Sequence, residues 1–162
     1  PATPGARIDD LEHTYKHLAS LDLVVALDCT GSMTPYLTAI KTKAVDMVTS
    51  LNTLYPDITY RVAFVGYKDH CDGPQRVNVL PFTEDLHAFS AFVNRMAPFG
   101  GCGETADVFG AMQEVGQLHF RAATRVLYHI GDAPCHGRDF HSVHLDCNPQ
   151  GDPRGLQAEE LL

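Results

Sequence analysis

The chain has 162 residues, a mass of 17.7 kDa, 44% hydrophobic and 20% charged residues, which describes one globular domain that buries about two-thirds of its unfolded surface without staples. A disordered tail is excluded by that composition, and no apolar run approaches the roughly 18 residues that a membrane span needs. Twelve basic against twenty acidic residues give a net charge of −8 with no Lys/Arg cluster, which argues against nucleic acid or an anionic membrane surface as a partner and leaves cations and basic or metal-bridged partners.

Asp9 or Asp10 can cap a short lead-in helix within residues 1–20, with Leu11, Tyr15 and Leu18 on one face. Leu21–Leu27 is a nearly unbroken apolar run, the pattern of a strand covered on both faces, and similar runs recur at Tyr60–Tyr67 and Val126–Ile130. Helical stripes lie between them. Met33, Leu37, Ile40, Ala44, Met47 and Leu51 form one, Leu86, Phe89, Phe92 and Met96 a second, and Val108, Met112 and Val115 a third that starts at about Thr105. Val77–Leu80 follows the second strand too closely for a parallel crossover, so it is expected as an antiparallel edge strand. The alternation predicts an α/β fold: a Rossmann-like three-layer sandwich around a mostly parallel sheet.

Five cysteines, Cys29, Cys71, Cys102, Cys135 and Cys147, are odd in number and widely spaced, with no Cys-x-x-Cys pair. With no basic and apolar leader in Pro1–Asp10, they suggest a reducing, cytoplasmic setting.

In open α/β sheets ligands gather at the carboxyl ends of the strands. Three segments fall there: Asp28-Cys29-Thr30-Gly31-Ser32-Met33, Gly100-Gly101-Cys102-Gly103-Glu104-Thr105 and Gly131-Asp132-Ala133-Pro134. Two carboxylates and three hydroxyls at one rim make a hard-oxygen site suited to Mg²⁺, Mn²⁺ or Ca²⁺. Any one of these residues alone also fits a helix cap or turn. Glu104 is expected as an acid in the first turn of the following helix, and Asp69 and Asp72 as solvated loop residues first and as supports behind the metal ligands second. The run from Cys135 to Cys147 holds zinc-type ligands, but its spacing fits no standard zinc module. A surface loop beside the rim is the expectation there.

The three segments taken together, with Phe64-Val65-Gly66-Tyr67-Lys68-Asp69 and Cys135-His136-Gly137, resemble the von Willebrand factor type A (VWA) domains that carry a metal-ion-dependent adhesion site, in particular those of intracellular proteins associated with alpha-kinases. The resemblance covers 21–162. It implies a divalent ion, Mg²⁺ or else Mn²⁺ or Ca²⁺, held by Asp28, Thr30, Ser32, Thr105 and Asp132, and a partner-binding rim that includes Gly31, Met33, Gly103, Glu104 and His136. Thr30 stands where many members have Ser, which keeps the hydroxyl. The implied function is a protein–protein interaction module whose metal captures an Asp or Glu of a protein partner, with no catalysis in this chain and any alpha-kinase activity elsewhere in the protein.

The alternative is a haloacid-dehalogenase-like phosphotransfer enzyme with Asp28 as nucleophile. A complete VWA domain continues past the equivalent of Asp132 with further helix–strand units. The domain is therefore expected to lack its closing strands, and Val126–Ile130 to be an apolar edge covered by the chain's own tail, a second copy or another chain.

Overall fold

A computed structural model of the chain describes residues 14, 15 and 19–161. Of the lead-in helix expected over 1–20, Thr14 and Tyr15 are helical, Ser20 already belongs to the first strand, and the rest lies outside the described residues.

Strand β1 (Ser20–Asp28) leads through a single 3₁₀ turn, Gly31–Met33, into helix α1 (Thr34–Leu54). Pro35 sits in its first turn, where the missing N–H costs no helical bond. Strand β2 (Thr59–Tyr67) lies parallel to β1. A second 3₁₀ segment, His70–Gln75, reverses the chain into β3 (Val77–Thr83), antiparallel to β2. Helix α2 (Leu86–Arg95) is capped by Asp85, which accepts from the His87 and Ala88 N–H groups. Helix α3 (Val108–Gln117) precedes β4 (Thr124–Ile130), which pairs parallel with β1. A last turn, α4 (Ala158–Leu161), packs against α3.

The sheet order is β3-β2-β1-β4, the expected α/β sandwich with one antiparallel edge. Alternation along the doubly covered β1 divides the core in two. Leu23, Val25 and Leu27 join Phe64, Val48, Phe89 and Val93 under α1 and α2, where Phe64 meets Phe89 and Phe92 edge-on. Val24 and Ala26 join Val65, Tyr67, Ala111 and Val115 under α3. The chain leaves β1 toward β2 on one side and returns to β4 on the other, so a crevice opens between the carboxyl ends of β1 and β4.

Two expectations change. The third helix starts at Val108, because Thr105 and Ala106 are drawn into extended pairing: Ala106 N–H donates to Pro134 O at 2.9 Å and Asp107 N–H to Lys68 O at 2.8 Å. Asp107 then caps the helix through Gly110 N–H. The tail does not cover β4, since α4 lies on α3 instead. Among the described residues β4 is an edge, with Val126, Leu127 and Tyr128 41–50% exposed. An apolar groove of about 490 Å³ runs between it and α1. No helix among the described residues is long and apolar enough to cross a membrane.

Candidate functional site

Asp28 ends β1 fully buried. Its Oδ1 accepts from the Thr30 N–H at 2.8 Å and the Thr30 hydroxyl at 2.7 Å, an Asx-type turn that bends the chain back over the strand end. Thr30 Oγ1 lies 3.1 Å from Ser32 Oγ, and Ser32 donates to Asp132 Oδ1 at 2.9 Å. Four of the five residues expected to hold a metal thus form one continuous chain of oxygens across the crevice. Asp28 Oδ2 is buried with no hydrogen-bond partner, a position that costs free energy unless something supplies positive charge. Burial, reinforced by the charge of Asp132, pushes the Asp28 carboxyl upward against the two bonds from Thr30 and the weaker pull of the Ala133 N–H.

A cleft of about 260 Å³ opens over this chain, lined by Thr30, Ser32, Thr105 and Asp132 and floored by Gly31, Gly100 and Gly101. The glycine loop docks on the β1 turn through backbone bonds, Phe99 N–H to Cys29 O and Gly31 N–H to Gly100 O, each at 3.2 Å. Gly100 has φ +87°, and a Cβ there would fall 2.0 Å from Asp72 Oδ1, so the position admits glycine alone.

Thr105, the fifth expected ligand, lines the same cleft. Its hydroxyl, however, is 3.0 Å from His136 Nδ1 and 3.4 Å from Asp146 Oδ1, and so belongs to a second network behind the first. There His136 bridges Asp69 Oδ1 at 2.7 Å and Asp146 Oδ1 at 2.6 Å. His141 adds a bond to Asp146 Oδ2 at 3.0 Å. Burial works against charge in this group. The hydrogen bonds to its two carboxylates overcome that and raise the His136 ring, while the bonds from His136 and Cys102 bring the Asp69 carboxyl down to about 2.

Several expectations about the rim are corrected by burial. Met33 and His136 are each 3% exposed. Met33 faces the core as the last residue of its 3₁₀ turn, and His136 is enclosed by Asp69 and Asp146, so neither offers a surface to a partner. Gly31, Gly103 and Glu104 are exposed. Glu104 is not in a first helical turn; its carboxylate accepts the His144 and Leu145 N–H groups at 3.1 Å and ties down the late loop. Asp69 is fully buried rather than solvated, and Asp72 accepts the Gly101 N–H at 3.0 Å. In the 135–147 run, His136, His141 and Asp146 have side chains no more than 5% exposed. The segment is a surface loop, as expected, with Phe140 and Leu145 exposed, and these three polar side chains pin it from beneath.

Asp107 was passed over in the sequence. In the fold it takes Arg76 Nε at 2.8 Å and Arg154 at 2.7 Å besides capping α3. Asp22, inside the apolar run of β1, pairs with Arg61 through two bonds at 2.9 and 2.7 Å. It also accepts the Arg121 and Ala122 N–H groups. Both are structural anchors. Cys29 is buried, its thiol pushed up to about 12 by burial and so disfavoured as a thiolate.

The donor set at the cleft is oxygen only, with one orphaned carboxylate oxygen, and such a set fits a hard divalent cation. No family model matches the chain. Over 160 residues it is 34% identical to the alpha-protein kinase vwkA of Dictyostelium discoideum, an alignment that covers 96% of this chain and 25% of that protein. The chain thus spans about a quarter of the relative's length.

Proposed function

We propose that this chain is a VWA-type recognition module in which a divalent ion, Mg²⁺ before Mn²⁺ or Ca²⁺, is held by Asp28, Thr30, Ser32, Asp132 and Thr105 and captures an Asp or Glu carboxylate of a protein partner. The observation that carries the reading is the unpartnered, fully buried Asp28 Oδ2 beneath a chain of hydroxyls that ends on Asp132. When bound, the ion supplies the electrophile that a carboxylate completes.

The protein's own residues do the rest. Asp28 provides buried negative charge, Thr30 locks its orientation, Ser32 and Asp132 set the spacing between the two strand ends, and the glycine loop keeps the cleft open. An oxygen anion docking in this partly desolvated cleft gains more than it would in an exposed ion pair, and the cation reverses the local field of an acidic protein.

The relative is by name an alpha-protein kinase. The role assigned to this chain is recognition within such a protein, in a cytoplasmic setting, rather than phosphoryl transfer. The phosphotransfer alternative needs Asp28 as an attacking group, and its complete burial with one oxygen held by Thr30 lends that reading less support.

Isothermal titration of Mg²⁺, Mn²⁺ and Ca²⁺ into wild type, Ser32→Ala and Asp28→Asn tests the assignment. One binding event in the wild type that is lost or strongly weakened in both variants is the expected result. Equal affinities in all three proteins, or no binding by folded wild type, overturn it.

A further inference from the structure

Behind the oxygen-lined cleft, three cysteines from three separate loops converge. Cys71 lies in the 3₁₀ segment after β2, Cys102 in the glycine loop and Cys147 at the end of the late loop. Cys102 Sγ is 3.2 Å from Asp69 Oδ2. The coordinating atoms of Asp69, Cys71 and Cys102 all lie within 4.8 Å of one another. Cys147 lies just outside that group of three, with its Sγ donating to Cys102 O at 2.9 Å. The three cysteines are exposed at the surface, while Asp69 is fully buried. A solvated ion therefore has access from one side and meets a fixed carboxylate on the other.

We infer that Cys71, Cys102, Cys147 and Asp69 form a structural zinc site, distinct from the hard-ion cleft. Three sulfurs and one carboxylate oxygen make a four-ligand set that suits tetrahedral Zn²⁺ and is poor for Mg²⁺ or Ca²⁺. Zinc–sulfur bonds of about 2.3 Å place tetrahedral sulfurs about 3.8 Å apart. The ligand atoms of Asp69, Cys71 and Cys102, all within 4.8 Å of one another, are near that spacing, and Cys147 joins them by turning its Sγ away from Cys102 O. Binding replaces the three S–H protons, which go to solvent, with sulfur–zinc bonds. Asp69 would be oriented from outside the site, since its other oxygen bonds His136 Nε2, the kind of support that metal-bound side chains require.

The site would pin together three loops that hydrogen-bond to one another through Asp69, Cys102 and Cys147. It also sits one step from the cleft, through Asp69, His136 and Thr105. The run of ligands from Cys135 to Cys147 shares only Cys147 with this set: Cys135 is not among the converging thiols, and Cys71 and Cys102 are remote in sequence.

The test uses the 162-residue chain purified under reducing conditions without chelator. Elemental analysis should find one zinc per chain. After zinc removal, cobalt should give thiolate-to-metal charge-transfer intensity for three thiolates and the strong d–d bands of a tetrahedral centre. Cys102→Ser and Cys147→Ser should each lose more affinity than the about 10–100-fold that a missing outer partner costs, while Cys135→Ser retains the wild-type stoichiometry. If Cys102→Ser does not fold, the cobalt spectrum of the wild type decides by its thiolate count. Folded wild type without zinc or cobalt affinity overturns the assignment, as does a cobalt spectrum with fewer than three thiolates. Unchanged zinc binding in Cys102→Ser, or a Cys71–Cys102 or Cys102–Cys147 disulfide found by intact mass, does so too.

Discussion

Ser32 and Asp132 stand 100 residues apart in sequence, yet the Ser32 hydroxyl donates to Asp132 Oδ1 at 2.9 Å and closes the gap between the ends of β1 and β4. The bond is exposed, so by itself it contributes little to folding. Its importance is positional. Ser32→Ala is expected to change the unfolding free energy by no more than about 0.5 kcal/mol while divalent-ion affinity falls at least about tenfold. Denaturant melts paired with ion titrations check this, and an unaltered affinity would remove Ser32 from the ligand set.

Asp28→Asn keeps the shape of the side chain and removes its charge. In the presence of a chelator the variant should be as stable as wild type or more so, because burial and Asp132 both oppose a charged Asp28. Added Mg²⁺ should raise the melting temperature of wild type alone, since a ligand that binds only the folded state stabilises it by mass action. Thermal unfolding with and without Mg²⁺ compares the two, and equal Mg²⁺ shifts would count against the site.

Gly100→Ala places a methyl group against Asp72 at a backbone angle that L-residues avoid. The left-handed conformation alone costs about 1–2 kcal/mol, and displacing Asp72 frees the Gly101 N–H that it binds. The expected loss of stability is at least about 1 kcal/mol with weaker divalent-ion binding, read by denaturant midpoint and titration. A variant with wild-type stability would mean that the loop adopts another path.

Asp22→Asn probes the far end of the sheet. Burial alone would raise the Asp22 carboxyl, but the bonds from Arg61, Ala122 and Arg121 outweigh it and hold it below 3.8. Because the folded value lies under the unfolded one, this stabilisation is complete above about pH 4 and disappears as pH falls below 3.8 through the folded value. At neutral pH the variant should lose about 3 kcal/mol by stranding the Arg61 guanidinium. Its acid limb should also be flatter than that of wild type in a pH series of urea melts. Divalent-ion binding should be unaffected, which separates this anchor from the cleft.

The class of fold and the place of the candidate site are written in local patterns of residues. Apolar runs such as Leu21–Leu27 read as covered strands and the stripes between them as helices packed on a sheet, although Val126, Leu127 and Tyr128 of the last run stay 41–50% exposed. The polar segments after each strand must then meet at one rim, which is where Asp28, Thr30, Ser32 and Asp132 come together. Those features are periodic or local, so they can be read along the chain.

Other features depend on contacts between remote loops. Thr105 and Ala106 are extended rather than helical because Lys68 and Pro134 supply backbone partners from two other strand ends. His136 and Asp69 read as surface residues until the fold sets them against each other in the interior. Cys71, Cys102 and Cys147 share no spacing that marks a metal site, and they become neighbours only when three loops close over the carboxyl end of the sheet. Burial and charge pairing at such a junction are properties of position in space, which hydrophobic periodicity does not encode.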